Sequence, residues 1–174
     1  MLEHAGLPAC FWPWAVRHWC FMDNTEVRAD GHSSWSKRFD GKHFEGPRLP
    51  FGCRVEYLPR PEVVKALPKF EPRAQVGVVV GYYLQPGGIW KGEFMIVPLE
   101  WFRGYDFTQP YAFRDIKIIR TIEAKLIGEL AYPVKPLYDM AKTTLGPLDM
   151  ILPTALFEER GDPPPGEEPA EPGD

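Results

Sequence analysis

One stretch limits what this chain can fold into. Residues 75–97 read QVGVVVGYYLQPGGIWKGEFMIV. From Val76 to Tyr83 the residues are β-branched, aromatic or glycine, with no polar side chain among them but the tyrosine hydroxyls. A strand over 75–84, apolar on both faces, belongs at the centre of a sheet and not at its edge. Gln85-Pro86-Gly87-Gly88 is a turn signal, and residues 89–97 resume as a strand. The two strands are expected to pair as a hairpin.

The flanking sequence adds strands to this hairpin. Phe51, Cys53, Val55 and Tyr57 alternate with Gly52, Arg54 and Glu56, which predicts a half-buried strand over 49–58. Pro59 and Pro61 end it, and 62–67 has room for one helical turn. A fourth strand is expected over 112–120, where Phe113 and Ile116–Ile118 are set against Arg114, Asp115 and Lys117. Twenty prolines and sixteen glycines favour many short elements joined by turns. Hydrophobic residues at 44%, with 14% aromatics, are enough for a real core.

Upstream, Val16, Trp19, Cys20 and Met22 recur near helical spacing after Pro13, predicting a helix over 13–22. Phe11, Trp12, Trp14, Trp19 and Phe21 carry more aromatic surface than one helix buries alone. The helix therefore needs a packing partner, in this chain or in sequence beyond it. Residues 25–48 are polar and broken by Gly31, Gly41 and Gly46, and are read as a connector without a regular element. Downstream, 121–130 is expected to be helical, with Thr121 as cap and Ile122, Leu126, Ile127 and Leu130 as its stripe. A second short helix is expected over 137–145. Residues 158–174 are acidic and Pro-rich, the composition of a disordered tail.

The expected fold is α+β and β-rich: a small antiparallel sheet or partly open barrel of four to five strands. It carries an N-terminal helix, short C-terminal helices and a disordered tail. The expected divisions are 1–24 (orphan helix), 25–48 (connector), 49–120 (β module), 121–157 (short helices) and 158–174 (tail).

Catalytic chemistry is hard to assemble from these residues. His4, His18, His32 and His43 are scattered, with no metal-ligand spacing. Asp23, Glu26, Asp30, Asp106 and Asp115 show no pairing of the kind acid–base work needs. Ser33, Ser34 and Ser36 sit in no nucleophile elbow. Cys53 lies inside an expected strand and reads as core. Gly77 and Gly81 fall within a strand, and Pro86-Gly87-Gly88 is a turn, so neither is a phosphate cradle. No metal or cofactor is expected, and no small-molecule ligand is evident. Cys10, Cys20 and Cys53 form an odd set without C-x-x-C spacing, as in a reducing compartment. No apolar run reaches the roughly 18–20 residues of a membrane span.

Charge is more informative. The net charge of −4 conceals a split. Residues 36–91 hold ten Lys and Arg against five Asp and Glu, whereas 157–174 hold seven acids and one Arg. Lys37, Arg38, Arg54, Arg60, Lys65, Lys69, Arg73 and Lys91, interleaved with Trp35 and Trp90, are candidates for a face that grips a nucleic-acid backbone without reading sequence. The competing reading is an ordinary mixed surface, because five acids are interspersed.

Three blocks carry a resemblance. The first is Leu7-Pro8-Ala9-Cys10-Phe11-Trp12-Pro13-Trp14-Ala15-Val16. The second is Leu49-Pro50-Phe51-Gly52-Cys53-Arg54-Val55-Glu56-Tyr57. The third is Lys69-Phe70-Glu71-Pro72-Arg73-Ala74-Gln75-Val76-Gly77-Val78-Val79-Val80-Gly81-Tyr82. In order, they resemble three blocks of copia-type retrotransposon polyproteins: the Phe-Trp helix that ends the integrase core, a Phe-Gly-Cys block, and a Lys-to-Gly-Tyr block. Phe113-Arg114-Asp115-Ile116 resembles the Ser-Arg-Asp-Val strand that follows. The chain departs from the family at Pro13-Trp14, at Thr25 where Arg is usual, and in the polar insert 26–48. The resemblance covers about residues 5–120.

The resemblance implies a piece of an integrase. In that family three acids hold two metal ions that clamp the attacking and leaving oxygens. They precede the Phe-Trp helix, so no catalytic residue is carried over to any position here. What is implied instead is a non-catalytic role in DNA integration, with DNA and other integrase or polyprotein subunits as partners. The location would be intracellular, and nuclear if that role is retained.

Overall fold

The computed structural model describes residues 1–59, 68–69, 72–109, 115–126 and 128–144. The hairpin is present as expected: β2 (Gln75–Gln85) and β3 (Ile89–Pro98), after a short β1 (Arg54–Tyr57). β4 (Ile119–Thr121) and β5 (Ala124–Lys125) complete one five-stranded antiparallel sheet in the order β4-β3-β2-β1-β5. β2 is the middle strand, and its residues from Gly77 to Tyr82 are buried. The sheet is not closed into a barrel.

Its two edges nevertheless meet at one corner. β4 pairs with β3 at one edge and β5 with β1 at the other, yet only Ile122 and Glu123 separate them. Leu58 N–H donates to the Glu123 carbonyl at 3.1 Å, and Thr121 Oγ1 donates to the Leu58 carbonyl at 3.1 Å. Only a strongly coiled sheet can satisfy both contacts.

This corner replaces the helix expected over 121–130. Thr121 does not cap a helix. Its Oγ1 accepts from Glu123 N–H at 3.1 Å, a local bond that turns the chain between two strands. Ile122, meant for the helix stripe, is 67% exposed, and Leu126 and Leu130 are exposed too; Ile127 lies outside the described residues. Pairing with β1 overrides a helical periodicity that had no surface to face. Of the expected strand over 112–120, residues 115–118 lie outside any strand and 119–120 fall in β4; 112–114 are outside the described residues. The expected turn over 62–67 and tail over 158–174 also lie outside them.

The N-terminal part is α1 (Leu2–Ala5), a 3-10 turn (Ala9–Phe11) and α2 (Trp12–Thr25), with Pro13 in its first turn. The connector is not without structure: α3 (Ser34–Arg38) stands within it. Ser33 Oγ accepts from Ser36 N–H and Ser36 Oγ accepts from Ser33 N–H, both at 2.9 Å. This is a capping box with serine where glutamate or glutamine is usual, which hides it in the sequence. A 3-10 turn (Leu99–Phe102) follows β3, and α4 (Lys135–Thr144) is the expected second short helix, begun two residues earlier.

Each face of the sheet carries its own core. One joins Ala5, Leu7 and Phe11 to Val78, Val80, Val97, Trp101, Phe102 and Val134. It thus draws on the N-terminal segment, the hairpin and the chain entering α4. The other joins Phe21 to Cys53, Val55, Tyr57, Val79, Tyr82, Phe94 and Ile96. Gly52 shows how closely these parts meet. Its φ is +80°, and a Cβ there would stand 2.2 Å from the Ala5 Cβ. The strand expected from 49 therefore starts only at Arg54, after a turn at Phe51-Gly52.

Candidate nucleic-acid interface

The six candidate cations within the described residues do not form one face. Arg73 precedes the start of β2, with Lys69 earlier still. Lys91 lies just past the hairpin turn at the strand's other end. The eleven residues of β2 span about 35 Å at roughly 3.3 Å each. Arg54 falls between the two ends, opposite Val78. Arg60 and Lys65 lie outside the described residues.

The hairpin end is the better organised. Lys37 and Arg38 close α3, and α3 is held to the hairpin by rings. Trp35 meets Phe21 and Phe44 edge-on, Phe44 meets Trp90 at 5.1 Å, and Trp90 meets Tyr82 and Phe94. Phe21 stacks on Tyr82 at 4.2 Å. Arg38 reaches over the turn, where a Cβ on Gly88 would stand 3.4 Å from its Nη1, and its guanidinium lies 5.8 Å from the Phe39 ring. Lys37 is partly neutralised by Asp30 at 3.2 Å, in an exposed pair of small energetic worth.

Two further cations have more definite roles. The Arg120 guanidinium on β4 stands 4.3 Å from the centre of the Tyr83 ring, within cation–π range. The pairing is non-local, so the sequence offered no signal for it beyond two residue types. Arg48 is structural: it donates to Glu26 at 2.8 Å and to the Thr25 carbonyl at 2.6 Å, tying down the end of α2.

Hydroxyl and thiol groups in this region serve the fold. Tyr82 accepts from Leu49 N–H at 2.8 Å and donates to the Pro47 carbonyl at 2.9 Å, anchoring the segment before β1. Burial raises its pKa. Cys53 is fully buried, and burial pushes its thiol up to about 12, far from a reactive thiolate. Burial also raises Tyr57 to about 12; its hydroxyl donates to Gln75 Oε1 at 2.9 Å. His18 is 3% exposed, between the rings of Phe51 and Tyr82, each 5.5 Å away. Its Nδ1 has no hydrogen-bond partner, and burial lowers its pKa to about 4.

Among the described residues, no three His, Cys, Asp or Glu side chains gather as a metal site, and no helix is long and apolar enough to cross a membrane. No family model matches the chain, and no curated protein or solved structure matches it either.

Proposed function

We propose that this chain is a retrotransposon-derived integrase segment with a non-catalytic role in DNA integration, contacting DNA or other integrase subunits. The observation that carries the reading is the ordered succession of the three copia-like blocks. A physical consideration supports it: residues from all three share one core, with Phe11 and Ala15 from the first, Phe51 from the second, and Val78 and Val80 from the third. On this reading the acids that bind metal and perform strand transfer belong upstream of the Phe-Trp helix. The chain itself then contributes contact and not catalysis.

The DNA contact is best sought at the hairpin end, where Arg38 and Lys91 are exposed and Arg38 lies beside the Phe39 ring. Fluorescence anisotropy with a labelled short duplex tests it. Binding is expected at low salt and is expected to fall steeply as salt rises, because the contacts are to phosphates. Absence of binding at low salt sinks the DNA-contact half. Sequence upstream of Met1 tests the origin: an in-frame stretch with the three acids supports it.

A second reading is a protein-interaction module with no nucleic-acid role. The exposed Trp12, Val16 and Trp19 of α2 favour it, since contiguous apolar surface commonly marks an interface. Light scattering after size exclusion distinguishes the two. A clean monomer at high concentration counts against self-association through that face.

A further inference from the structure

The exposed side of α2 forms one wall of a groove. Trp12, Ala15, Val16 and Trp19 contribute that wall, and Met1, Leu2 and Glu3 face it. The groove measures about 360 Å³, and among the described residues Glu3 is the one charged side chain lining it. Trp12 and Trp19 are 62% and 58% exposed. They stand seven residues apart with Val16 between them, one continuous apolar stripe on a helix.

The facing wall is fastened to the C-terminal helix. Lys142 Nζ donates to Glu3 Oε1, and Tyr138 and Ala141 of α4 are buried in the same core as Ala5. Thr144, the last described residue of α4, stands two residues beyond a lysine bonded to the groove's own wall. The residues that follow include Leu148, Met150, Ile151, Leu152, Leu156 and Phe157, before the acidic run begins at Glu158. Four residues from Thr144 reach Leu148 over at most about 14 Å, and thirteen reach Phe157 over at most about 45 Å. A short tether thus joins an apolar stretch of sequence to the wall of an apolar groove.

We propose that residues 148–157 dock in this groove of their own chain, with their apolar side chains against Trp12, Val16 and Trp19. A tether of this length holds the segment at an effective concentration of millimolar order, so weak intrinsic affinity suffices. Docking removes the apolar stripe from water. It also accounts for the stripe without an external partner, and so competes with the second functional reading while leaving the integrase reading untouched.

The test uses the full chain with a photo-crosslinking amino acid at Leu152 or, separately, at Leu156. Equal amounts of isotopically light and heavy protein are mixed, irradiated and mapped by mass spectrometry. Adducts to residues 1–19 within one isotopic form are expected from at least one position. Their loss is expected when Trp19→Ala and Met150→Glu are added, with the far-UV circular dichroism of the sheet unchanged. Adducts between light and heavy copies assign the groove to a second molecule and overturn the proposal. Absence of adducts to residues 1–19 from both positions also overturns it, as does their persistence in the double variant.

Discussion

The two faces of α2 differ in a way that periodicity alone does not anticipate. The face turned to the sheet carries Ala15, His18, Phe21 and Thr25. The face turned away carries Trp12, Val16 and Trp19. The exposed face is the more apolar of the two, and Val16 and Trp19 belonged to the stripe that the sequence put forward. Shape decides the outcome. A small Ala15 and a flat His18 allow the helix to lie close on Phe51 and Tyr82, and Phe21 then stacks on Tyr82. Two indole rings in those places would hold the helix off the sheet. Burial follows the surface a helix can match, and the unmatched apolar face is left for another segment or partner.

The comparison breaks most readily at Phe21. Its ring lies among Trp35, Phe44 and Tyr82. Phe21→Ala is expected to cost about 3–5 kcal/mol through lost burial and an unfilled cavity. Chemical denaturation measures this, and a loss under about 1 kcal/mol would mean that α2 does not lean on the sheet as described.

Acid should weaken the buried face next. His18 has a folded pKa of about 4 against an ordinary 6.5. The folded state therefore binds fewer protons than the unfolded chain between these values. The associated stability is fully present above pH 6.5 and is lost as pH falls toward 4, by an amount on the order of 3 kcal/mol. The lowered carboxyls of Asp30 and Asp106 act below that window, and that of Glu3 only from its acid end downward. Unfolding curves from pH 7 to pH 4 should show the slope, and His18→Leu should flatten it. An equal slope in that variant assigns the acid sensitivity to other groups.

A smaller effect is expected at Tyr82. Tyr82→Phe keeps the ring that α2 packs on but leaves the Leu49 amide and the Pro47 carbonyl without their partner, at about 1–3 kcal/mol. Faster amide exchange at Leu49 with little change at Phe21 would separate the hydroxyl's role from the ring's. The smallest effect belongs to the outer face. Trp19→Ala should move global stability by no more than about 0.5 kcal/mol, although it removes the contact proposed for residues 148–157. A large loss there would erase the distinction between the two faces.

The candidate interface divides along similar lines. The excess of basic residues over 36–91 was visible in the sequence, and so was their interleaving with aromatics. Their grouping was not. Lys69 and Arg73 lie at one end of β2, while Arg38 and Lys91 lie at the other, because a long strand separates in space what composition pools together. Nothing local marks Arg120, because its ring partner, Tyr83, is far away in sequence. α3 escaped because its cap uses Ser36 in place of an acidic or amide side chain.

The residues by themselves determined the central hairpin, since an unbroken apolar run can be satisfied only between two other strands and Pro-Gly-Gly can only turn. They also determined that the N-terminal segment forms a helix, because Pro13 starts it and nothing interrupts it before Thr25. Tertiary structure alone decided which face of that helix is buried. It also decided that Thr121 turns a strand where a helix had been expected, and that the sheet's two edges meet at Leu58. Those outcomes depend on the shape and free hydrogen-bonding groups of distant partners. Local spacing carries no record of them.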